Sequence, residues 1–166
     1  MNTVLLVCGS RSLEHRGKKA RAWADRILKE ELKALLPRKD AVISGGASGP
    51  DLWTRAMVMK LADKEHLLHF VEFFANGCKL TWECAYTENT RHRTDTSRWY
   101  PITVTDPLLR NKEMATAVHR GVERGWKARV LALFDSRSPT HGTEHMISCL
   151  VSLDFPIEGR WEVYRG

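Results

Sequence analysis

Short apolar runs that each end in a turn of glycine or small polar residues, followed by a helical repeat, constrain this chain more than anything else in it. Val4-Leu5-Leu6-Val7-Cys8 is apolar throughout and stops at Gly9, as a strand buried on both faces of a parallel sheet would. A helix follows, with Ala20, Trp23, Ala24, Ile27, Leu28, Leu32, Leu35 and Leu36 on its apolar stripe and Pro37 at its close. Ala41 to Ser44 reads as a second strand, and Gly45-Gly46-Ala47-Ser48-Gly49-Pro50-Asp51 leads from it into a helix over about Asp51 to Asp63. Leu67 to Phe74 and Val130 to Phe134 are further strands. Helices are expected from near Pro107 and around Met146 to Val151, and Phe155 to Tyr164 is a last strand with a turn at Gly159.

Strands that alternate with helices imply βαβ units. The fold class expected is therefore α/β: a Rossmann-like three-layer domain with a mostly parallel central sheet of about five strands flanked by helices. At 166 residues, 1–166 is one domain. Asn76 to Asp106 resists the pattern, and this extended insertion reads equally as a lid, an oligomer contact or a solvated surface hairpin.

Hydrophobic residues at 43% and charged residues at 28% describe a globular chain and exclude a disordered one. No apolar run has the length of a membrane span. Met1 to Val7 carries no basic leader, so it reads as a strand and not a signal peptide, and a cytoplasmic protein with no membrane partner is expected. Cys8, Cys78, Cys84 and Cys149 are too scattered for a metal cluster or a disulfide scaffold. They are expected to be reduced thiols, with no metal bound. His92 and His141 likewise have no ligand partner at metal spacing. The net charge of +6 favours anionic partners, although an ordinary basic surface has the same sum.

In open α/β sheets, ligands sit beyond the carboxyl ends of the strands. The chain places Gly9-Ser10-Arg11, Gly45-Gly46, Asn76-Gly77 and Asp135-Ser136 at those ends. The stretch from Ser44 to Asp51 is the strongest local signal. Glycines let backbone N–H groups approach an anion closely, and the following helix start adds free amides, so phosphate is the natural guest. It is neither a Walker loop nor a GxGxxG fingerprint. Read alone, it is equally a tight turn in which Ser48 caps the helix and Asp51 meets its dipole. Ser10 and Arg11 offer a hydroxyl and a forked cation suited to phosphate or ribose, and Ser138 to Thr143 again sets small hydroxyl residues and a glycine before a helix.

The order Val-Cys-Gly-Ser-Arg, Ser-Gly-Gly-Ala-Ser-Gly-Pro-Asp, Arg110-Asn111-Lys112-Glu113-Met114 and His141-Gly142-Thr143 resembles the SLOG superfamily. That group includes the DNA-processing Smf/DprA proteins and the cytokinin-activating Lonely Guy enzymes, and the chain looks closest to its small, single-domain YspA-type branch. The resemblance implies a Rossmann-like domain that binds nucleotides or their derivatives, often as a homodimer, with no further cofactor. Arg110 fits the Arg-Lys-x-x-Met motif and inherits its catalytic or phosphate-binding role. The Pro-Gly-Gly of the family's third motif is replaced by Pro139-Thr140-His141, and its glutamate position holds Met146. Asp51 and Asp135 are the carboxylates that could substitute, since Glu144 would point from a different face of the helix.

The reading is a binding module for a nucleotide or a nucleotide-derived signal. Ligand contacts are expected from Gly9, Ser10, Arg11, Gly45, Gly46, Ala47, Ser48, Asp51, Asn111, Gly142 and Thr143, with Arg110 as the catalytic candidate. The alternative is a phosphoribohydrolase that cleaves the N-glycosidic bond of a nucleoside 5′-monophosphate. Single-stranded nucleic-acid binding comes third, through the basic, aromatic stretch from Arg91 to Tyr100.

Overall fold

A computed structural model describes residues 1–74, 78–86, 93–101, 107–138 and 141–166, with strands 78–86 and 93–101 described by their backbone course. The elements run β1 Thr3–Gly9, a 3₁₀ stretch Arg11–Arg16, α1 Gly17–Lys33, β2 Ala41–Gly45, α2 Pro50–Ala62, β3 His69–Phe73, β4 Cys78–Tyr86 and β5 Arg93–Pro101. After these come α3 Pro107–Glu123, β6 Lys127–Asp135, α4 His141–Ser152 and β7 Ile157–Tyr164. They form one seven-stranded sheet in the order β5-β4-β3-β2-β1-β6-β7. The five strands from β3 to β7 in that order are all parallel, and β4 and β5 add an antiparallel hairpin beyond β3. The expected Rossmann-like α/β architecture is thus present.

Period-two alternation in the buried strands divides the core. Leu5 and Val7 of β1 join Val42, Phe70, Leu131 and Leu133 against Leu28 and Leu32 of α1 and Trp53, Met57 and Leu61 of α2. Val4, Leu6 and Cys8 point the other way, with Ile43, Val130 and Ala132, onto Met114 and Val118 of α3 and Met146 and Leu150 of α4. Trp23 lies at the margin of the first layer, its ring centroid 5.3 Å from that of Tyr164. Cys8 and Cys149 are free and buried.

Three details differ from the sequence expectation. First, α1 ends at Lys33, before Pro37, and Ala34 closes it by donating to the carbonyl of Glu30. Second, β7 runs unbroken through Gly159. Alternate residues share a strand face, and a Cβ on Gly159 would meet the Trp161 ring at 2.8 Å, so the glycine accommodates a neighbouring side chain and makes no turn. Third, much of the long insertion is the β4–β5 hairpin that extends the sheet. Asn76, Gly77 and His92 lie outside the described residues, as do the side chains of the basic, aromatic stretch from Arg91 to Tyr100. Among the described residues no helix is long and apolar enough to cross a membrane.

The chain leaves β1 towards β2 and β3, then returns through α3 to place β6 on the other side of β1. The strand order therefore reverses between β1 and β6, where a crevice opens at the carboxyl ends. Gly9 closes β1 at this point. A Cβ there would stand 2.7 Å from Cγ of Pro50 and 2.9 Å from the carbonyl oxygen of Leu133. Gly9→Ala is expected to destabilise the fold by about 1–3 kcal/mol through overpacking. Urea denaturation checks this, and a stability equal to wild type would mean that the sheet end yields without cost.

Candidate functional site

A cleft of about 330 Å³ opens at this reversal point. Its wall is built from the end of β1 (Cys8, Gly9, Ser10, Arg11, Ser12), the β2–α2 loop (Gly45, Ala47, Asp51), the first turns of α3 (Arg110, Asn111, Met114) and the β6–α4 junction (Ser138, Gly142, Thr143, Met146). Four segments distant in sequence meet because strands end, and helices begin, on the same edge of the sheet.

Most of the residues singled out from sequence line this cleft, but Gly46 and Ser48 do not. The Gly46 N–H donates to the carbonyl of Phe73, and a Cβ on Gly46 would overlap the Phe74 ring, so this glycine packs the loop against β3. The reading of Ser48 as a helix cap is corrected. Gly49 occupies the N-cap at φ +79°, a left-handed conformation that favours glycine, and no side chain caps the helix. Asp51 is also turned differently from a residue that only meets the dipole. Its carboxylate reaches back to accept from the Ala47 N–H and the Ser44 hydroxyl, each at 3.2 Å. Two amides of the glycine loop, those of Gly46 and Ala47, are therefore engaged within the protein.

Asp51 and Arg110 form the charged centre of the cleft. A Cβ on Gly45 would lie 2.8 Å from Oδ2 of Asp51 and 3.2 Å from Cζ of Arg110, so both groups converge over this glycine. Burial raises the Asp51 carboxyl to about 7, against the pull of Arg110, the Ala47 amide and the Ser44 hydroxyl, with Glu72 adding to the rise. Burial lowers the Arg110 guanidinium, and the nearby charge of Arg11 acts the same way while Asp51 opposes it. Arg110 is 8% exposed, and its Nε is a buried donor with no hydrogen-bond partner among the described residues. Its Nη2 donates to Oδ1 of Asn111 at 3.4 Å, and Nδ2 of Asn111 donates to the carbonyl of Gly142 at 3.1 Å. Asn111 thereby ties α3 to the start of α4.

Asp135 serves a different purpose. It forms an ion pair with Arg16, accepts from Ser12 Oγ at 2.9 Å and from the Arg137 N–H at 3.1 Å, while its own N–H donates to Ser10 Oγ. Burial pushes its carboxyl up, but the Arg137 amide, Ser12 and Arg16 together hold it below the ordinary value. It braces the crevice and is not part of the cleft wall. Met146 is buried against the second core layer and also faces the cleft, whereas Glu144 is exposed. Among the described residues, Asp51 is the carboxylate in the wall of the cleft.

Sequence reasoning left Cys8, Ser12, Met114, Ser138 and Met146 out of the site. Ser12, two residues after Ser10, and Ser138, in a segment already marked by its hydroxyl residues, carried a readable signal. Met114 closes the motif that begins at Arg110 but otherwise reads as a core residue. The thiol of Cys8 is pushed far above its usual range by burial, with Asp51 adding to the rise, so it stays protonated as part of the floor. Pro139 and Thr140 lie outside the described residues, as does the side chain of His141. The described residues contain no group of three or more His, Cys, Asp or Glu side chains placed to hold a metal ion.

No model of a known protein family matches the chain, and a search of curated proteins finds no match.

Proposed function

We propose that the cleft binds a nucleotide or nucleotide-derived ligand, with its phosphate against Arg110 and the amino end of α4. The observation that carries this reading is the Nε of Arg110, a buried donor with no partner among the described residues, on a side chain that lines the cleft. A buried unsatisfied donor is costly, and a ligand oxyanion would satisfy it through a charge-assisted bond. The amides of Gly142 and Thr143 at the start of α4 provide further donors and a favourable dipole end. The cleft volume of about 330 Å³ falls within the range of small-molecule sites.

A thermal-shift panel of nucleoside monophosphates, ADP-ribose and cyclic dinucleotides tests this on wild type and Arg110→Ala. A ligand at a hundredfold its Kd stabilises by about 2.7 kcal/mol, and each kcal/mol is worth roughly 2–4 °C in a domain of this size. The expected result is a selective shift that disappears in Arg110→Ala. No shift with any member of the panel would count against the reading.

Hydrolysis of the N-glycosidic bond is the second reading, and one observation favours it. The buried Met146 stands where the resemblance would place a glutamate, but Asp51 brings a carboxylate to the same cleft beside Arg110. A carboxylate that titrates near neutrality suits a general base acting on water. Incubation with nucleoside 5′-monophosphates should then release free base, and Asp51→Asn should abolish turnover while ligand binding persists. Ligand binding without base release would leave the binding role alone.

A further inference from the structure

Two oppositely charged side chains, each more than nine-tenths buried, share the space over Gly45 and line the same cleft. Among the described residues, the groups that bond to Asp51 or act on its charge are these. β1 contributes the Cys8 thiol, and β2 with its loop contributes the Ser44 hydroxyl and the Ala47 amide. α3 contributes Arg110, with Arg11 of the 3₁₀ stretch behind it. β3 contributes Glu72, fully buried and bonded at 2.8 Å to Arg55 of α2. Arg110 is the cation nearest Asp51 in this set, and its Nε has no hydrogen-bond partner among the described residues.

An anion that settles on Arg110 therefore draws on the same guanidinium whose charge offsets that of Asp51. Two negative groups so close in a partly dry cleft repel strongly, and a proton on one of them relieves the conflict. We propose that the cleft binds a doubly charged oxyanion of the phosphate-monoester class together with one proton, which Asp51 takes up, so that the complex holds Asp51 as the neutral acid.

This rests on the reading that an anion lies against Arg110, and adds what happens to the residue beside it. As the neutral acid, Asp51 keeps lone pairs for the Ser44 hydroxyl and the Ala47 amide and gains an O–H directed at the ligand. Its carboxyl already sits at about 7 without a ligand, so little free energy is needed to load the proton at neutral pH. The site thereby favours ligands that present an acceptor oxygen to Asp51. A singly charged phosphodiester would provoke less proton uptake than a monoester.

The test uses sulfate, which stays doubly charged across the pH range, and adenosine monophosphate, whose phosphate is fully ionised at about pH 8. Calorimetry at about pH 8 in two buffers of different ionisation heat should show close to one proton taken up per bound nucleotide. Sulfate affinity should fall by up to tenfold per pH unit from about pH 7 upwards. In Asp51→Asn the proton uptake should vanish, sulfate affinity should become independent of pH, and binding at about pH 9 should be tighter than in wild type. A residue that merely held the loop in place would weaken binding when replaced, at every pH.

Sulfate or nucleotide binding with no proton uptake and no pH dependence would overturn the proposal while leaving the nucleotide reading intact. Proton-coupled sulfate binding without nucleotide binding would sustain the proposal and overturn that reading. If neither ligand binds, both fall. The two-buffer measurement on wild type decides the matter even if Asp51→Asn fails to fold.

Discussion

Asp135→Ala is expected to lower stability by about 3–5 kcal/mol, because it removes a buried carboxylate and leaves the half-buried Arg16 guanidinium without its partner. The Arg16 side chain is 12% exposed and packs over the Tyr164 ring, 5.0 Å from guanidinium carbon to centroid, so it cannot simply swing into water. The substitution also removes the acceptor for Ser12 and for the Arg137 amide at the point where β1 and β6 diverge. At roughly 2–4 °C per kcal/mol, the melting temperature should fall by on the order of 10 °C. Thermal unfolding near neutral pH checks this, with Asp135→Asn as the milder comparison that retains an acceptor. A loss within the range of a surface substitution would show that Arg16 finds other compensation. The folded-state value of Asp135 is lowered, so its contribution is present above the unfolded carboxylate value and is lost as pH falls through the folded one.

Asp51→Asn should do the reverse at neutral and alkaline pH and stabilise the unliganded protein. Between the ordinary aspartate value of 3.8 and about 7, the unfolded chain has released the Asp51 proton and the folded protein still holds it. Stability therefore declines as pH rises through that window, and the full cost is reached above about 7. Asparagine cannot ionise and still offers an oxygen to the Ala47 amide, so it escapes the cost. The gain is expected to be on the order of a few kcal/mol at about pH 8 and to shrink towards pH 4. Melting temperatures of both proteins across that range give the answer. A difference that stays constant with pH would mean that Asp51 is ionised throughout.

Much of the lining of the candidate cleft was legible because its signals are local. A strand buried on both faces needs a short run such as Val4 to Cys8, and the turn beyond it needs glycines, so Gly9, Gly45 and Gly142 could be placed from neighbours alone. Arg110 and Asn111 were found through their resemblance to a motif, and the structure brings both to the cleft. The hairpin also left a trace: Leu80, Trp82, Cys84 and Tyr86 alternate along β4 with the period of two that marks a strand. That pattern could not say which sheet edge the strand would join, because strand pairing links residues far apart in the chain.

By itself, then, the sequence determined the alternation of strands and helices, and with it the sheet edge where the turns collect. Tertiary structure alone decided which of two plausible carboxylates faces the cleft. Asp135 is taken by Arg16 and Ser12, and Asp51 is left with Arg110. It also decided that the Gly46 and Ala47 amides bond inward while the Nε of Arg110 has no partner among the described residues. The reason is physical: helix and strand periodicity follow from the local backbone, whereas the pairing and desolvation of a charge depend on groups that meet only when the sheet is assembled.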